Sequence, residues 1–279
     1  MWSPRVERPF TLWRHIRRER RRIREAENPV VVYSHPKTAS RAIEAAIAGL
    51  PSVQPFHAHV LQERHFLKGD FRGIPPNERG ITPDGQPVQW AIRREIVESG
   101  RPLRLVSLVR DPVAVCVSWF FFGLQRWLAC EQKPDPAKLD FEELLDHFHN
   151  RFSHDGMIHW FDDEWNKTTG LNIYSKLFDK SRGWQIYERG NIKAVILSAH
   201  LEDEIKANAL SEFLDEKIDE VPRVNESGAQ GAPEVYGKLQ RSVRDNQELV
   251  DRLLNARFTR HFFEESQIDS FRHRWNDPD

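Results

Sequence analysis

The sequence predicts an α/β fold, with a central and mainly parallel sheet flanked by helices and a helical C-terminal part. Two observations predict it. Residues 30–33 and 103–109 are runs of β-branched and aliphatic residues with the length of buried strands, and each is followed by a sharp turn and then by apolar residues at helical spacing. Because ligands of open α/β sheets bind at the carboxyl ends of the strands, we expect the functional site at those turns.

The composition is typical of a soluble globular protein. Of the 279 residues, 39% are hydrophobic and 30% are charged, and the net charge of −1 gives no reason to expect a nucleic-acid partner. Two cysteines, Cys116 and Cys130, are too few for a disulfide scaffold and fit a reducing compartment. No stretch approaches the ~20 apolar residues of a membrane span, and no signal segment opens the chain.

The first turn has the chemistry of an anion-binding loop. The strand must end at His35-Pro36, because proline cannot continue a ladder, and a helix follows. A strand, a tight turn and a helix direct unpaired backbone N–H groups at one point. Lys37, Thr38 and Ser40 add an ammonium group and two hydroxyls there, so the turn is predicted to bind phosphate.

The loop differs from the nucleoside-triphosphate loop. That loop requires glycines at fixed positions and a lysine followed by serine or threonine. Lys37-Thr38 satisfies the last requirement, but no glycine lies between Val30 and Ser40, so a wide triphosphate cradle is not expected. The simplest alternative is an ordinary strand-to-helix turn with a solvated lysine.

The second turn carries Arg110 directly after the strand 103–109. Ser118 follows 8 positions later, two helical turns along the next helix. A guanidinium binds a phosphate dianion bidentately, and the hydroxyl can complete its shell. The alternative is a local ion pair of Arg110 with Asp111, in which Asp111 caps the helix.

The third feature is a pair of histidines. His57 and His59 lie on one face if their segment is extended, because side chains of a strand alternate. Two histidines could ligate a metal, but the sequence offers no convincing third and fourth ligand nearby. The alternative is that both are packing or surface residues.

Together, these motifs resemble those of a known superfamily. The run from Pro36 to Ser40 resembles the 5′-phosphosulfate loop of P-loop sulfotransferases that use 3′-phosphoadenosine 5′-phosphosulfate (PAPS), and these enzymes also have an Arg and a Ser at the spacing of Arg110 and Ser118. His57-Ala58-His59-Val60 is similar to the His-x-His-Val of heparan sulfate 2-O-sulfotransferases. The resemblance covers roughly residues 29–124. Residues 160–187 resemble a bacterial family of capsular polysaccharide synthesis proteins.

The resemblance implies a site and a reaction. His59 would be the catalytic base, supported by His57, and Lys37 would stabilise the leaving group. The donor nucleotide would be bound by the loop and by three later residues: His35, Pro36, Lys37, Thr38, Ala39, Ser40, Arg41, Arg110, Ser118 and Asn225. Other late candidates near Asn225 are Arg223, Lys238 and Arg241, and the sequence does not decide among them. PAPS would be the donor substrate, a carbohydrate the acceptor, and no metal would be required.

The organisation predicted is a basic N-terminal helical segment, residues 1–28, and a single sulfotransferase-like α/β domain, residues 29–279. Nine arginines oppose three glutamates in residues 1–26. The segment is interpreted as a solvated helix packed onto the domain by Trp13 and Ile16, and the alternatives are a polyanion-binding arm or a membrane-surface helix. The loop 68–87, rich in Gly and Pro, is a candidate lid or a plain surface excursion.

The function predicted is transfer of a sulfonyl group from PAPS to a carbohydrate hydroxyl. Animal carbohydrate sulfotransferases of the Golgi carry a membrane anchor, so the chain is expected to be either bacterial or a truncated piece of an anchored enzyme. Of these two, we expect a bacterial, cytoplasmic enzyme. Two alternatives from other classes are an ATP-dependent kinase-like enzyme that needs Mg²⁺ and a non-catalytic glycan- or membrane-binding protein.

Overall fold

The computed structural model describes residues 9–63, 86–130, 140–224 and 233–276. Its five strands form one sheet in the order β2-β1-β3-β5-β4. The strands are β1 Pro29–Tyr33, β2 Gln54–Ala58, β3 Leu103–Val109, β4 Trp184–Arg189 and β5 Ile192–Ser198. All neighbours are parallel except β4, which pairs with β5 as an antiparallel hairpin. The predicted α/β fold with a mainly parallel sheet is confirmed.

Helices cover both faces of the sheet and form the C-terminal part. They are α1 Pro9–Glu25, α2 Ser40–Ala48, α3 Gln86–Ile92, α4 Pro112–Cys130, α5 Phe141–Asp146, α6 Gly156–Trp160, α7 Asp203–Leu214, α8 Pro233–Arg244, α9 Gln247–Leu254, α10 Arg257–Phe262 and α11 Glu265–Asn276. Three continue as π-helical turns: α3 into Arg93–Val97, α5 into His147–Arg151, and α6 into Phe161–Asn166, which ends in the turn Lys167–Thr169. A 3₁₀ turn spans Ile173–Ser175.

The strand β1 is buried on both faces, which explains its uninterrupted apolar sequence. Val30 and Val32 face a core that α2 and α7 complete. Val31 and Tyr33 face the larger core, which α3, α4 and the C-terminal helices complete. Alternation of side chains along the strand therefore joins two cores across one sheet.

The strand order sets the position of the site. From β1 the chain moves to one side, to β2, and then crosses to the other side, to β3. The connections that leave β1 and β3 therefore diverge, and a crevice opens between them at the carboxyl end of the sheet. By this rule, the crevice is expected where the loop 34–39 meets Arg110, whose Nη1 donates to the carbonyl oxygen of Lys37.

The basic helix α1 is attached to the rest of the molecule at its C-terminal end. Ile23 is fully buried in the larger core, and Arg20 and Arg24 both bind the carboxylate of Glu95. Arg101 donates to backbone carbonyl groups at the end of the helix. Trp13 and Ile16 were expected to pack the helix onto the domain. Both lie in α1, but their side chains are not among those that the structure describes. Among the helices that the structure describes, none has the length and apolar composition to cross a membrane.

Candidate active site

The loop after β1 forms a concave row of backbone N–H groups. Lys37 and Ala39 both have left-handed backbones, with φ of 69° and 67°, whereas Thr38 between them does not. Alternation of this kind turns successive N–H groups toward one point, the geometry of an anion-binding nest. The left-handed conformation costs a non-glycine residue about 1–2 kcal/mol, so the loop forms without the usual glycines at the expense of local strain.

Two side chains of this loop point into it. Thr38 is fully buried and its Oγ1 lies 2.9 Å from the carbonyl oxygen of His35 and 3.1 Å from Oγ of Ser34. His35 is also buried, and its Nδ1 lies 2.7 Å from the carbonyl oxygen of Pro36. These contacts hold the loop in shape. The Thr38 hydroxyl, which the sequence predicts to bind phosphate, thus also contacts two oxygen atoms within the loop.

Lys37 and Arg110 lie together at the crevice. Arg110 Nη1 donates to the carbonyl oxygen of Lys37 over 3.0 Å, and the Lys37 ammonium lies 4.9 Å from the ring centroid of Phe122. Burial lowers the pKa of Lys37, and the neighbouring charge of Arg110 lowers it further. The positive charges of Lys37 and Arg110 repel each other, and a bound anion would stabilise both.

Asp111 holds the start of α4. Its Oδ1 accepts from the N–H groups of Val113 and Ala114, over 2.9 Å and 3.3 Å, and its Oδ2 accepts from Nε1 of Trp275 over 2.9 Å. This is the helix cap that the sequence offered as an alternative, but Arg110 turns away from it toward Lys37. Ser118 lies further along α4 and is buried.

His57 and His59 share a face, with ring centroids 4.5 Å apart. His57 Nε2 lies 2.8 Å from Oγ of Ser40, the first residue of α2. Its Nδ1 lies 3.9 Å from Oε2 of Glu44. Burial, helped by the neighbouring His59 and by the charge of Arg41, moves the pKa of His57 well below its usual range.

His59 is held as a neutral imidazole with one tautomer. Its Nδ1 lies 2.7 Å from the carbonyl oxygen of Ser34, which can only accept, so Nδ1 carries the proton and Nε2 is an acceptor. Burial lowers the pKa of His59 to about 4, with smaller contributions from the charges of Arg41 and Lys37, although the bond to Ser34 opposes the shift. The base candidate and the anion loop are therefore joined by one hydrogen bond.

The remaining predicted residues that the structure describes form local ion pairs or are exposed. Arg41 is exposed and pairs with Glu44 over 2.6 Å. Nε of Arg223 lies 3.8 Å from Oδ2 of Asp203, and Nζ of Lys238 lies 3.3 Å from Oε1 of Glu234. Arg241 is exposed on α8. Asn225 and most of the candidate lid, residues 68–87, lie outside the described residues.

Sequence reasoning missed two residues beside Arg110. His200, from the turn after β5, accepts the backbone N–H of Asp111 over 3.1 Å at Nε2, and burial lowers its pKa to about 4, helped by the positive charge of Arg110. Tyr236 of α8 packs on Phe121 with 5.2 Å between ring centroids. Burial raises the pKa of Tyr236 and the charge of Arg110 opposes this. No local motif marks either residue.

A metal centre was not expected from the sequence. Within residues 9–63, 86–130, 140–224 and 233–276, no group of three or more His, Cys, Asp or Glu side chains is arranged to hold a metal ion. The site that the described residues do form is cationic and rich in N–H donors, which suits an anion rather than a cation.

Comparison with known proteins gives one match. The model of a family described as "Putative capsular polysaccharide synthesis protein" matches residues 137–264, somewhat less than half of the chain. No curated protein and no solved structure matches. The matched part runs from before α5 to beyond α10 and excludes Lys37, His59 and Arg110. Over this part, the chain is similar to a family assigned to capsular polysaccharide synthesis.

Proposed function

We propose that the protein is a sulfotransferase that moves the sulfonyl group of PAPS to a hydroxyl of a carbohydrate acceptor. The observation that carries this proposal is the bond from His59 Nδ1 to the Ser34 carbonyl oxygen, 2.7 Å long. It supports the proposal because Nδ1 then carries the ring proton, so that Nε2 can accept one, on a histidine that is hydrogen-bonded to the loop after β1. Acid–base chemistry on a hydroxyl and binding of an anionic donor are the two things such a transfer needs.

The donor would be bound at two points of the crevice. The backbone N–H groups of the loop, the N-terminus of α2 and Lys37 would hold the 5′-phosphosulfate. Arg110 and Ser118, on the neighbouring strand end and helix, would hold the 3′-phosphate. Because Arg110 also bonds to the backbone of Lys37, the two points are fixed relative to each other.

In the proposed reaction, the acceptor oxygen attacks sulfur in line with the bond to the bridging phosphate oxygen. The S–O bond to that oxygen breaks, the new S–O bond forms, and 3′-phosphoadenosine 5′-phosphate leaves. The hydroxyl proton passes to Nε2 of His59. Lys37 stabilises the charge that develops on the bridging oxygen. His57 holds the Ser40 hydroxyl at the start of α2, where it can contribute to the phosphate shell.

The low pKa of His59 has a consequence for this mechanism. With a pKa of about 4, the His59 ring is almost entirely neutral at pH 7, and its Nε2 can accept a proton. The same low pKa makes it a weak base. The negative charges of a bound donor would favour the protonated ring and so raise its pKa. The base would therefore gain strength when the donor is in place.

The carbohydrate part of the proposal is supported by the family match over residues 137–264. The kinase-like alternative is disfavoured by Thr38. In a nucleoside-triphosphate loop the hydroxyl after the lysine binds Mg²⁺, but here it is fully buried and engaged with His35 and Ser34.

Replacing the base tests the proposal directly. His59→Ala should lower sulfonyl transfer from labelled PAPS to an oligosaccharide acceptor by about 100-fold or more, because general-base catalysis supplies about that much. The affinity for 3′-phosphoadenosine 5′-phosphate should stay within about twofold, since His59 does not bind the nucleotide. The matched control is His159→Ala, at an exposed histidine of α6. Near-complete activity in His59→Ala would remove this histidine from the reaction.

A further inference from the structure

The segment that carries His59 lies beyond the end of its strand. The ladder between β1 and β2 ends with Tyr33 opposite Ala58, and the last backbone bond runs from the Ser34 N–H to the Ala58 carbonyl oxygen over 3.3 Å. Within the part of the chain that the structure describes, residues 59–62 therefore have no sheet partners. Their position depends on side chains from other elements.

Two of these side chains hold His59 and Val60. Gln89 of α3 accepts the backbone N–H groups of both residues at one oxygen, over 2.7 Å and 2.9 Å. Trp160 of α6 donates its indole N–H to the His59 carbonyl oxygen over 3.1 Å. These contacts fix the backbone of the histidine from two sides.

Glu164 holds the next two residues. It lies in the π-helical turn after α6 and is only 3% exposed. Its Oε1 accepts the backbone N–H of Leu61 over 2.5 Å, the backbone N–H of Gln62 over 2.9 Å and the hydroxyl of Tyr33 over 2.7 Å. One carboxylate oxygen thus joins the end of β1 to the histidine segment.

A carboxylate suits this place better than a neutral side chain. Burying a charge is costly unless hydrogen bonds offset it, and here three donors converge on one oxygen. An amide oxygen would be a weaker acceptor for the same donors, and the amide NH₂ could only donate. The Glu164 oxygen therefore holds backbone that the β1–β2 ladder does not hold.

We propose that Glu164 is a positioning residue for His59. This inference rests on the proposed role of His59 as the base. With a weaker acceptor in place of the carboxylate, the N–H groups of Leu61 and Gln62 are held less firmly and the segment shifts. His59 then loses the bond from Nδ1 to Ser34 that selects its tautomer. A base displaced by a fraction of an ångström transfers protons poorly.

By this proposal, residues 137–264, which the family model matches, also have a role in the site. Trp160 and Glu164 lie within residues 137–264, whereas His59 lies outside them. The matched part would then supply the support of the base, and the N-terminal part would supply the base itself.

The test compares Glu164→Gln with Glu248→Gln, a matched change at an exposed glutamate of α9. Nitrogen NMR of the His59 ring, assigned with His59→Ala, reports the tautomer without any turnover. We expect one tautomer, protonated at Nδ1, in the wild type and the control, and a mixture in Glu164→Gln. Turnover should fall about 10- to 100-fold, with the affinity for 3′-phosphoadenosine 5′-phosphate within about twofold.

An unchanged His59 ring in Glu164→Gln would overturn the inference, whatever the activity. Loss of nucleotide affinity in parallel with turnover would also overturn it, since it would indicate a general structural role.

If Glu164→Gln does not fold, Tyr33→Phe replaces it, because that change removes one of the three donors. It should still alter the tautomer population and lower turnover about 3- to 10-fold, and a ring identical to the wild type would count against the proposal. Because the ring signal requires no substrate, it separates failure of this inference from failure of the sulfotransferase proposal.

Discussion

The part of the chain that carries the motifs and the part that the family model matches contribute to the site in different ways. Residues 29–124 place Lys37, His59 and Arg110 at the carboxyl ends of neighbouring strands, where side chains face a crevice. Residues 137–264 contribute buried side chains, Trp160 and Glu164, which contact backbone of the first part. In the proposed site, the chemical groups and their support therefore come from different segments, and only the chemical groups are marked by short motifs.

The largest effect is expected from a variant that changes a chemical group of residues 29–124 and leaves residues 137–264 intact. Lys37→Met removes the ammonium beside the loop, and transfer should fall by about 100- to 1,000-fold, the usual loss of one preorganised electrostatic contact. The free energy of unfolding should not decrease, because the variant no longer buries an ammonium whose pKa is lowered by burial. Kinetics and urea unfolding check the two statements, with Lys217→Met, at an 86% exposed side chain, as the control. A destabilised Lys37→Met would show that the lysine is structural.

A change in α11, which lies beyond the matched part, should lower stability and leave nucleotide binding almost unchanged. Trp275→Phe removes the donor that satisfies the buried Asp111, and it should lower the free energy of unfolding by about 1–3 kcal/mol. Nucleotide affinity should change much less, since Trp275 contacts the helix cap and not the loop. Thermal unfolding and titration measure the two quantities. Complete loss of nucleotide binding in Trp275→Phe, with an unchanged free energy of unfolding, would contradict the assignment of Trp275 to stability alone.

A further expected effect is a pH dependence of stability, to which both parts contribute. The pKa values of His59 and His261 lie at about 4 in the folded chain, chiefly because of burial, below the usual value near 6.5. The unfolded chain therefore takes up protons first, and the contribution of these two histidines to the free energy of unfolding should be constant well above pH 6.5. Between pH 6.5 and 4 this contribution should fall, by at most about 1.4 kcal/mol per pH unit for each histidine.

Variants separate the two contributions. His261→Phe should flatten the slope of stability against pH and keep activity, because His261 packs between Tyr174 and Phe262 away from the crevice. His59→Ala should flatten the slope and lose activity. Urea unfolding at pH 7.5, 6.0 and 5.0 measures both. A slope that neither variant changes would mean that these histidines are protonated equally in the folded and unfolded chains.

The sequence predicts the features that local patterns encode. The strands β1 and β3, the turns at Pro36 and Arg110, and the shared face of His57 and His59 follow from periodicity and chain-breaking residues. The left-handed backbones of Lys37 and Ala39 do not follow, because neither residue favours that conformation and the surrounding contacts impose it. Glu164 could not be found either. Its partners lie more than 100 positions away, and nothing near it in the sequence indicates that they meet.

The most direct test of the central claim is calorimetric titration of the full chain with 3′-phosphoadenosine 5′-phosphate, ADP and ATP, each with and without Mg²⁺. Arg110→Ala is compared with Arg182→Ala, whose guanidinium pairs with Glu212 at the far edge of the sheet. The account predicts metal-independent binding that requires the 3′-phosphate and weakens about 10- to 100-fold in Arg110→Ala alone. Equal affinity for nucleotides with and without the 3′-phosphate, or a preference for ATP with Mg²⁺, would contradict it.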